Sequence, residues 1–178
     1  SKKCNLMFKM LPRITLLLFL TAIACKETAA PKTEDKSSLT TELEQEKQAI
    51  LTTLNNETKA AFQRDYPTWT TFWIHDNNIT KTYLDFAENT FSESVGWDEI
   101  SQFVKTFIEE HPEPEPIPKL LHQIDVRLYG TGAWVIYEQQ DSLRGLKREA
   151  RLMEKVDGKW KIAGMQTTIY GFENEGNK

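Results

Sequence analysis

Few residues in this chain are spaced for chemistry. There are three histidines. His75 precedes Asp76, His111 closes a helical stretch and His122 opens a strand, and no His-x-x-x-His or comparable cluster presents metal ligands on one face. Asp85, Asp125 and Glu138 are conceivable general bases. Abstraction of a proton beside a carbonyl needs such a base in an apolar site with a donor opposite, and no motif places one there. No catalytic residue, metal or cofactor is assigned on this reading. The strongest chemical signal is Arg151 in Glu149-Ala150-Arg151-Leu152-Met153. A guanidinium turned inward from a strand clasps a carboxylate or phosphate through paired N–H bonds; turned outward, it pairs with a neighbouring carboxylate in solvent.

A second signal lies near the N-terminus. Lys9 and Arg13 precede the apolar run Ile14 to Ile23, which is too short to span a bilayer and reads as an export signal. Ala22-Ile23-Ala24-Cys25 resembles the bacterial lipobox, which makes residues 1–24 a lipoprotein-type signal peptide, with residues 1–6 ahead of a plausible initiator Met7, and Cys25 the lipidated residue. Residues 25–38 are polar and charged, without the apolar surface to offset chain entropy, and are expected to form a disordered tether. The expected location is the bacterial cell envelope, with membrane contact through the lipid alone. The net charge is −4, and the signal segment holds Lys2, Lys3, Lys9 and Arg13 but no acid, so its removal leaves a strongly acidic domain with no electrostatic footprint for nucleic acid. The only other cysteine, Cys4, falls in the signal segment. The folded part therefore depends on its hydrophobic core.

The elements that must position Arg151 are legible in outline. Leu39, Leu43, Ile50, Leu54 and Ala61 form one stripe of a long helix from Thr40 to about Arg64. Asp65 is a candidate N-cap with Pro67 in the first turn, and the short helix is expected to run on through Trp69 and Trp73 to Asp76. Strands are expected over Ile79 to Leu84 and Thr90 to Ser92. A helix capped by Ser94 follows, with Trp97, Ile100, Phe103, Val104, Phe107 and Ile108 at helical spacing. Prolines 112, 114, 116 and 118 impose an extended connector. Strands over Leu120 to Tyr129 and Ala133 to Gln140 come next. In the second of these both side-chain phases are apolar, so each face needs a cover, helices on one and a second copy of the sheet on the other. The last two strands flank Asp157-Gly158, a pair suited to a type I′ hairpin turn.

The segment Glu149-Ala150-Arg151, then strand residues, then Asp157-Gly158-Lys159-Trp160, resembles the association domain of calcium/calmodulin-dependent kinase II. Gly96-Trp97-Asp98 resembles the Gly-x-Asp that opens the third helix there. Residues 39–172 are thus similar to the nuclear transport factor 2-like superfamily, which also includes SnoaL-like cyclases and ketosteroid isomerase; residues 173–178 form a tail. The resemblance implies an α+β cone: a curled, mixed, mainly antiparallel sheet wrapped around a long N-terminal helix. It implies that Arg151 points into a pocket. Gly164, Gln166 and Thr168 stand where that family shows His, His and Ser, which removes the histidines. Expected pocket residues are Trp69, Trp73, Tyr83, Trp97, Tyr137, Arg151, Gln166 and Thr168, with aromatic walls around a small anionic or amphipathic molecule. A non-catalytic, homodimeric, lipid-anchored binding protein is the expectation. A lyase or isomerase using a pocket carboxylate and a purely structural dimerisation module are the alternatives.

Overall fold

A computed structural model describes residues 36–171. The signal segment, Cys25, most of the expected tether and the tail lie outside the described residues. The elements are α1 (Lys36–Phe62), α2 (Tyr66–Thr70), β1 (Thr80–Asp85), β2 (Thr90–Val95), α3 (Trp97–Glu110), β3 (Asp125–Tyr129), β4 (Gly132–Asp141), β5 (Gly145–Val156) and β6 (Lys159–Gly171). Helix α1 thus begins before Leu39, inside the segment read as tether. No helix among the described residues is long and apolar enough to cross a membrane.

The strands form one mixed sheet in the order β2-β1-β6-β5-β4-β3. Only β1 and β6 run parallel; the other neighbours are antiparallel. The β5–β6 turn has φ of 50° at Asp157 and 74° at Gly158, the two positive angles a type I′ turn requires. The fold is the expected α+β cone: an N-terminal helix against the hollow face of a curled, unclosed six-stranded sheet.

Helix α1 buries Ile50 and Leu54 completely, while Leu39 and Leu43, counted on the same stripe, are exposed because the first turns lie away from the core. The buried stripe continues through Glu57, Thr58 and Ala60. Asp65 caps α2 as expected, accepting the Thr68 N–H at 3.1 Å. The helix does not run on to Asp76. It ends at Thr70, and the chain turns so that Ile74 N–H donates to the Ile162 carbonyl and Ile162 N–H to the Phe72 carbonyl, pinning Trp73 beside β6. Ser94 does not cap α3; it is the penultimate residue of β2. The N-cap is Gly96, at φ 81°, where an added Cβ would sit 3.2 Å from the Asn77 carbonyl oxygen. A strand entering a helix in one residue needs a backbone angle that glycine adopts without strain. The strand expected from Leu120 begins only at Asp125. Ahead of it, Asn55 holds Leu121 by a two-way clasp, donating to its carbonyl at 2.9 Å and accepting its N–H at 2.8 Å.

A bulge in β6 decides which side chains face inward. Leu152 pairs with Gly164 but Met153 pairs with Ile162, so Ala163 is the extra residue. One inserted residue reverses the facing of everything beyond it. Trp160 and Ile162 face the helices on one side of the bulge, and Met165, Thr167 and Ile169 on the other; all are buried.

Candidate functional site

The hollow face of the sheet presents three successive rows of side chains, fixed by strand register. The deepest is Val135, Arg151, Met165, Lys81 and Ser94; the next is Tyr137, Glu149, Thr167, Tyr83 and Ser92; the outermost is Gln139, Lys147, Ile169, Asp85 and Thr90. Between these rows and the inner faces of α1 and α3 lies a cavity of about 320 Å³. Phe62, Trp69, Phe103, Val104 and Phe107 supply its apolar wall. Opposite them stand Arg151, Glu149, Lys81 and Tyr83. Curling of the sheet around a single helix leaves this space, because the helix is narrower than the concavity.

The polar side holds an unbroken chain of alternating charges. Glu57 lies 3.8 Å from Arg151, Arg151 3.3 Å from Glu149, Glu149 3.6 Å from Lys147 and Lys147 3.8 Å from Asp141. Asp141 then meets Arg144 at 3.3 Å, Arg144 meets Glu115 at 3.4 Å and Glu115 meets Arg64 at 2.6 Å. Glu57 also accepts the indole N–H groups of Trp69 at 2.7 Å and Trp73 at 3.3 Å, and Glu149 accepts the Thr167 hydroxyl at 2.8 Å. Burial works against a charged Arg151, but the Glu149 and Glu57 carboxylates beside it outweigh that penalty and hold the guanidinium charged. Its Nε and Nη1 are buried without an acceptor. Burial, above the other influences, pushes the Tyr137 hydroxyl far up its scale, so it stays protonated.

Burial alone would raise the Asp141 carboxyl, yet the Leu143 and Arg144 backbone N–H groups and the Lys147 and Arg144 charges hold it below the ordinary value. A carboxyl depressed in the fold contributes stability above its unfolded pKa of about 3.9, and that contribution is lost as pH falls through the folded value. Asp141→Asn is therefore expected to cost stability at neutral pH and to flatten the fall in the urea midpoint below about pH 4. An unchanged slope of midpoint against pH would refute that role.

The residues singled out from the sequence divide cleanly. Trp69, Tyr83 and Arg151 line the cavity. Trp73 and Tyr137 are buried beside it: Trp73 packs 5.3 Å from Trp69, and Tyr137 sits opposite Glu149 in the ladder. Trp97 is away from the cavity, stacked at 5.9 Å on Trp69 and at 3.7 Å on His75. Gln166 and Thr168 are on the outer face of the sheet, opposite Ala150 and Arg148, because the bulge at Ala163 shifts the inward phase to Met165, Thr167 and Ile169. Among the conceivable bases, Asp85 reaches the cavity rim but accepts the Ala87 and Glu88 N–H groups at 2.9 and 3.0 Å. Asp125 and Glu138 are exposed.

Arg151 does point inward, but its counter-charges are internal, where an external anion was expected. The acids that sequence reasoning missed were marked by period. Glu57 falls on the α1 stripe between Leu54 and Ala61, and Glu149 and Lys147 share the phase of Arg151 on β5. Lys81 shares that of Tyr83 on β1.

A cone of this build, with a helix in the mouth of a curled sheet and a polar row along the sheet side, is the nuclear transport factor 2-like fold. Solved structures of that fold superpose on the chain. A protein of the nuclear transport factor 2-like family from Streptomyces avermitilis matches with a TM-score of 0.54 at 12% identity, covering 71% of this chain and 97% of its own. A nuclear transport factor 2-like protein of unknown function from Silicibacter pomeroyi matches with a TM-score of 0.52 at 15% identity, covering 71% and 98%. Another of unknown function, from Shewanella baltica, matches with a TM-score of 0.51 at 19% identity, covering 69% and 92%. No family model matches the sequence, and no curated protein matches it.

Proposed function

We propose that this domain holds a small anionic or amphipathic molecule in its cavity without transforming it. The observation that carries this reading is the commitment of the cavity acids. Glu57, Glu149 and Glu115 are each tied to an arginine, and Asp85 caps a turn. A general base takes up a proton most readily when its carboxylate is not stabilised as the anion, and each of these carboxylates has at least one oxygen held by a fixed donor or cation. What stays available is a sheltered space with an apolar wall and inward cations, the make-up of a binding site. Native mass spectrometry of the purified full-length protein tests it. The expected result is a retained small molecule, released by denaturation with its mass unchanged after prolonged incubation. Conversion of the released molecule to a product on the protein would replace the binding reading with an enzymatic one.

The domain is further proposed to act as a lipid-anchored homodimer of the bacterial cell envelope. The anchor rests on the lipobox-like run ending at Cys25. Acyl chains contribute about 0.8 kcal/mol per buried methylene, so Cys25→Ala should move the protein from the detergent phase to the aqueous phase. The dimer rests on the outer sheet face, where Trp134 and Leu152 are exposed beside Ile136 and Ala150 with Arg127, Glu138 and Arg148 around them. An apolar centre with a charged rim suits a second copy of itself across a two-fold axis. Leu152→Glu should then give a monomer in sedimentation, while a wild-type monomer at high micromolar concentration would remove the proposal.

A further inference from the structure

We infer that Lys81 is the head-group site of the cavity and that its ligand is a monoanion, a carboxylate or an equivalent single charge on a flat apolar body. This rests on the binding reading above. Lys81 projects from β1 into the deepest row of the cone and is only 6% exposed. Among the described residues it has no carboxylate within ion-pair distance, although each other inward cation of the cavity has one. Its neighbours are instead neutral. The ammonium donates to the Tyr83 hydroxyl at 2.6 Å, approaches the Met165 sulfur at 3.1 Å and lies 5.6 Å from the Trp73 ring centre and 4.6 Å from that of Tyr83.

Ring faces and a hydroxyl soften the burial of an ammonium but do not neutralise it, and a buried charge without a counter-charge is costly. The remedy adopted by every other cation of the site is an internal acid. Here the positions that would supply one are Met165 across the ladder and Ser94 on the other side. The missing negative charge therefore has a place, and the cavity beside it is open to a ligand.

Charge number and shape follow from the same surroundings. The alternating chain from Glu57 to Arg64 is self-compensated and Asp85 at the rim is held by the Ala87 and Glu88 N–H groups, which leaves Lys81, among the described residues, as the one inward cation without an acid beside it for the ligand to meet. A dianion would carry one charge into the cavity without a partner. Accepting from Lys81, the head group would take the Tyr83 hydroxyl as a second donor. The body would lie against Phe103, whose ring is 6.1 Å from that of Tyr83, and Phe107.

Equilibrium binding to the full-length protein, followed by tryptophan fluorescence and calorimetry, tests this with β-naphthoate, the neutral β-naphthylmethanol and a naphthalene dicarboxylate. The wild type should bind the monocarboxylate at least tenfold more tightly than the alcohol or the dicarboxylate. Lys81→Met should abolish that preference while keeping the alcohol affinity, and Tyr83→Phe should reduce it several-fold. Lys81→Met should also melt higher, by roughly 2–5 °C, because an isosteric apolar chain removes an uncompensated buried charge. A preference that survives Lys81→Met would overturn the assignment, as would a lower melting temperature in that variant. Equal wild-type affinity for alcohol and monocarboxylate would overturn the head-group site and leave the binding cavity standing. Failure of all three probes to bind folded protein would overturn both.

Discussion

Arg151→Ala should destabilise the domain by about 3–5 kcal/mol, the usual cost of removing one member of a buried ion pair. The guanidinium is 4% exposed and stands between Glu57 and Glu149, themselves buried. Its loss leaves two carboxylates facing one another in a poorly solvated space, with indole and hydroxyl donors and the Lys147 ammonium, 3.6 Å from Glu149, to hold them. The sequence pointed Arg151 at a small anionic molecule in the pocket; the partners observed are the internal acids Glu57 and Glu149. The size of the effect can be separated from packing. Arg151→Met combined with Glu149→Leu removes both charges together and is expected to recover more than half of the loss, because replacing a pair by apolar groups is often close to neutral. Urea denaturation of the three proteins checks this. A loss below about 1 kcal/mol for Arg151→Ala would mean that the chain of charges is not holding the cone together.

Trp69→Ala should cost a similar amount, about 3–5 kcal/mol from the lost core volume alone. Trp69 is 2% exposed and joins three parts of the fold: it packs on Trp73 beside β6, stacks on Trp97 at the start of α3 and donates its indole N–H to Glu57 of α1. Truncation also deprives Glu57 of its shortest hydrogen bond, which places a buried charge under strain in addition to the cavity. Trp69→Phe keeps most of the volume and loses the N–H, so its loss relative to the wild type reports the hydrogen bond, at about 1–3 kcal/mol, and the further loss in Trp69→Ala reports the packing. Wild-type stability in Trp69→Phe would show that packing is the whole contribution. The same indole forms part of the apolar cavity wall, so Trp69→Ala should also enlarge the site and weaken retention of any flat ligand.

Local signals in the chain were sufficient for the elements and their order. Asp157-Gly158 demanded a tight turn because few other residues tolerate consecutive positive φ angles, and the alternating prolines after His111 excluded a helix there. The spacing of Ile100, Val104 and Phe107 specified α3. The cone followed from those elements and a resemblance centred on the last hairpin. Other features had no local cause. Whether Gln166 or Thr167 faces the cavity depends on one bulged residue at Ala163, and alternation of side chains cannot reveal where an extra residue enters a ladder. The cap of α3 passed from Ser94 to Gly96 because strand pairing with β1 claimed Ser94 first.

That Arg151 turns inward was implied by the resemblance carried by Glu149-Ala150-Arg151 and Asp157-Gly158-Lys159-Trp160, while the residues alone left both faces open to it. Only the tertiary structure decided what the guanidinium meets, since Glu57 lies on α1, far away in sequence and carried to Arg151 by the packing of helix on sheet. Lys81 was undetermined for the same reason. Nothing near a lysine on a short strand says whether an acid stands across the ladder, and here the register sets Met165 and Ser94 there instead. A charge's partner is a property of three-dimensional neighbourhood, because Coulomb attraction and desolvation act through space and are indifferent to separation along the chain.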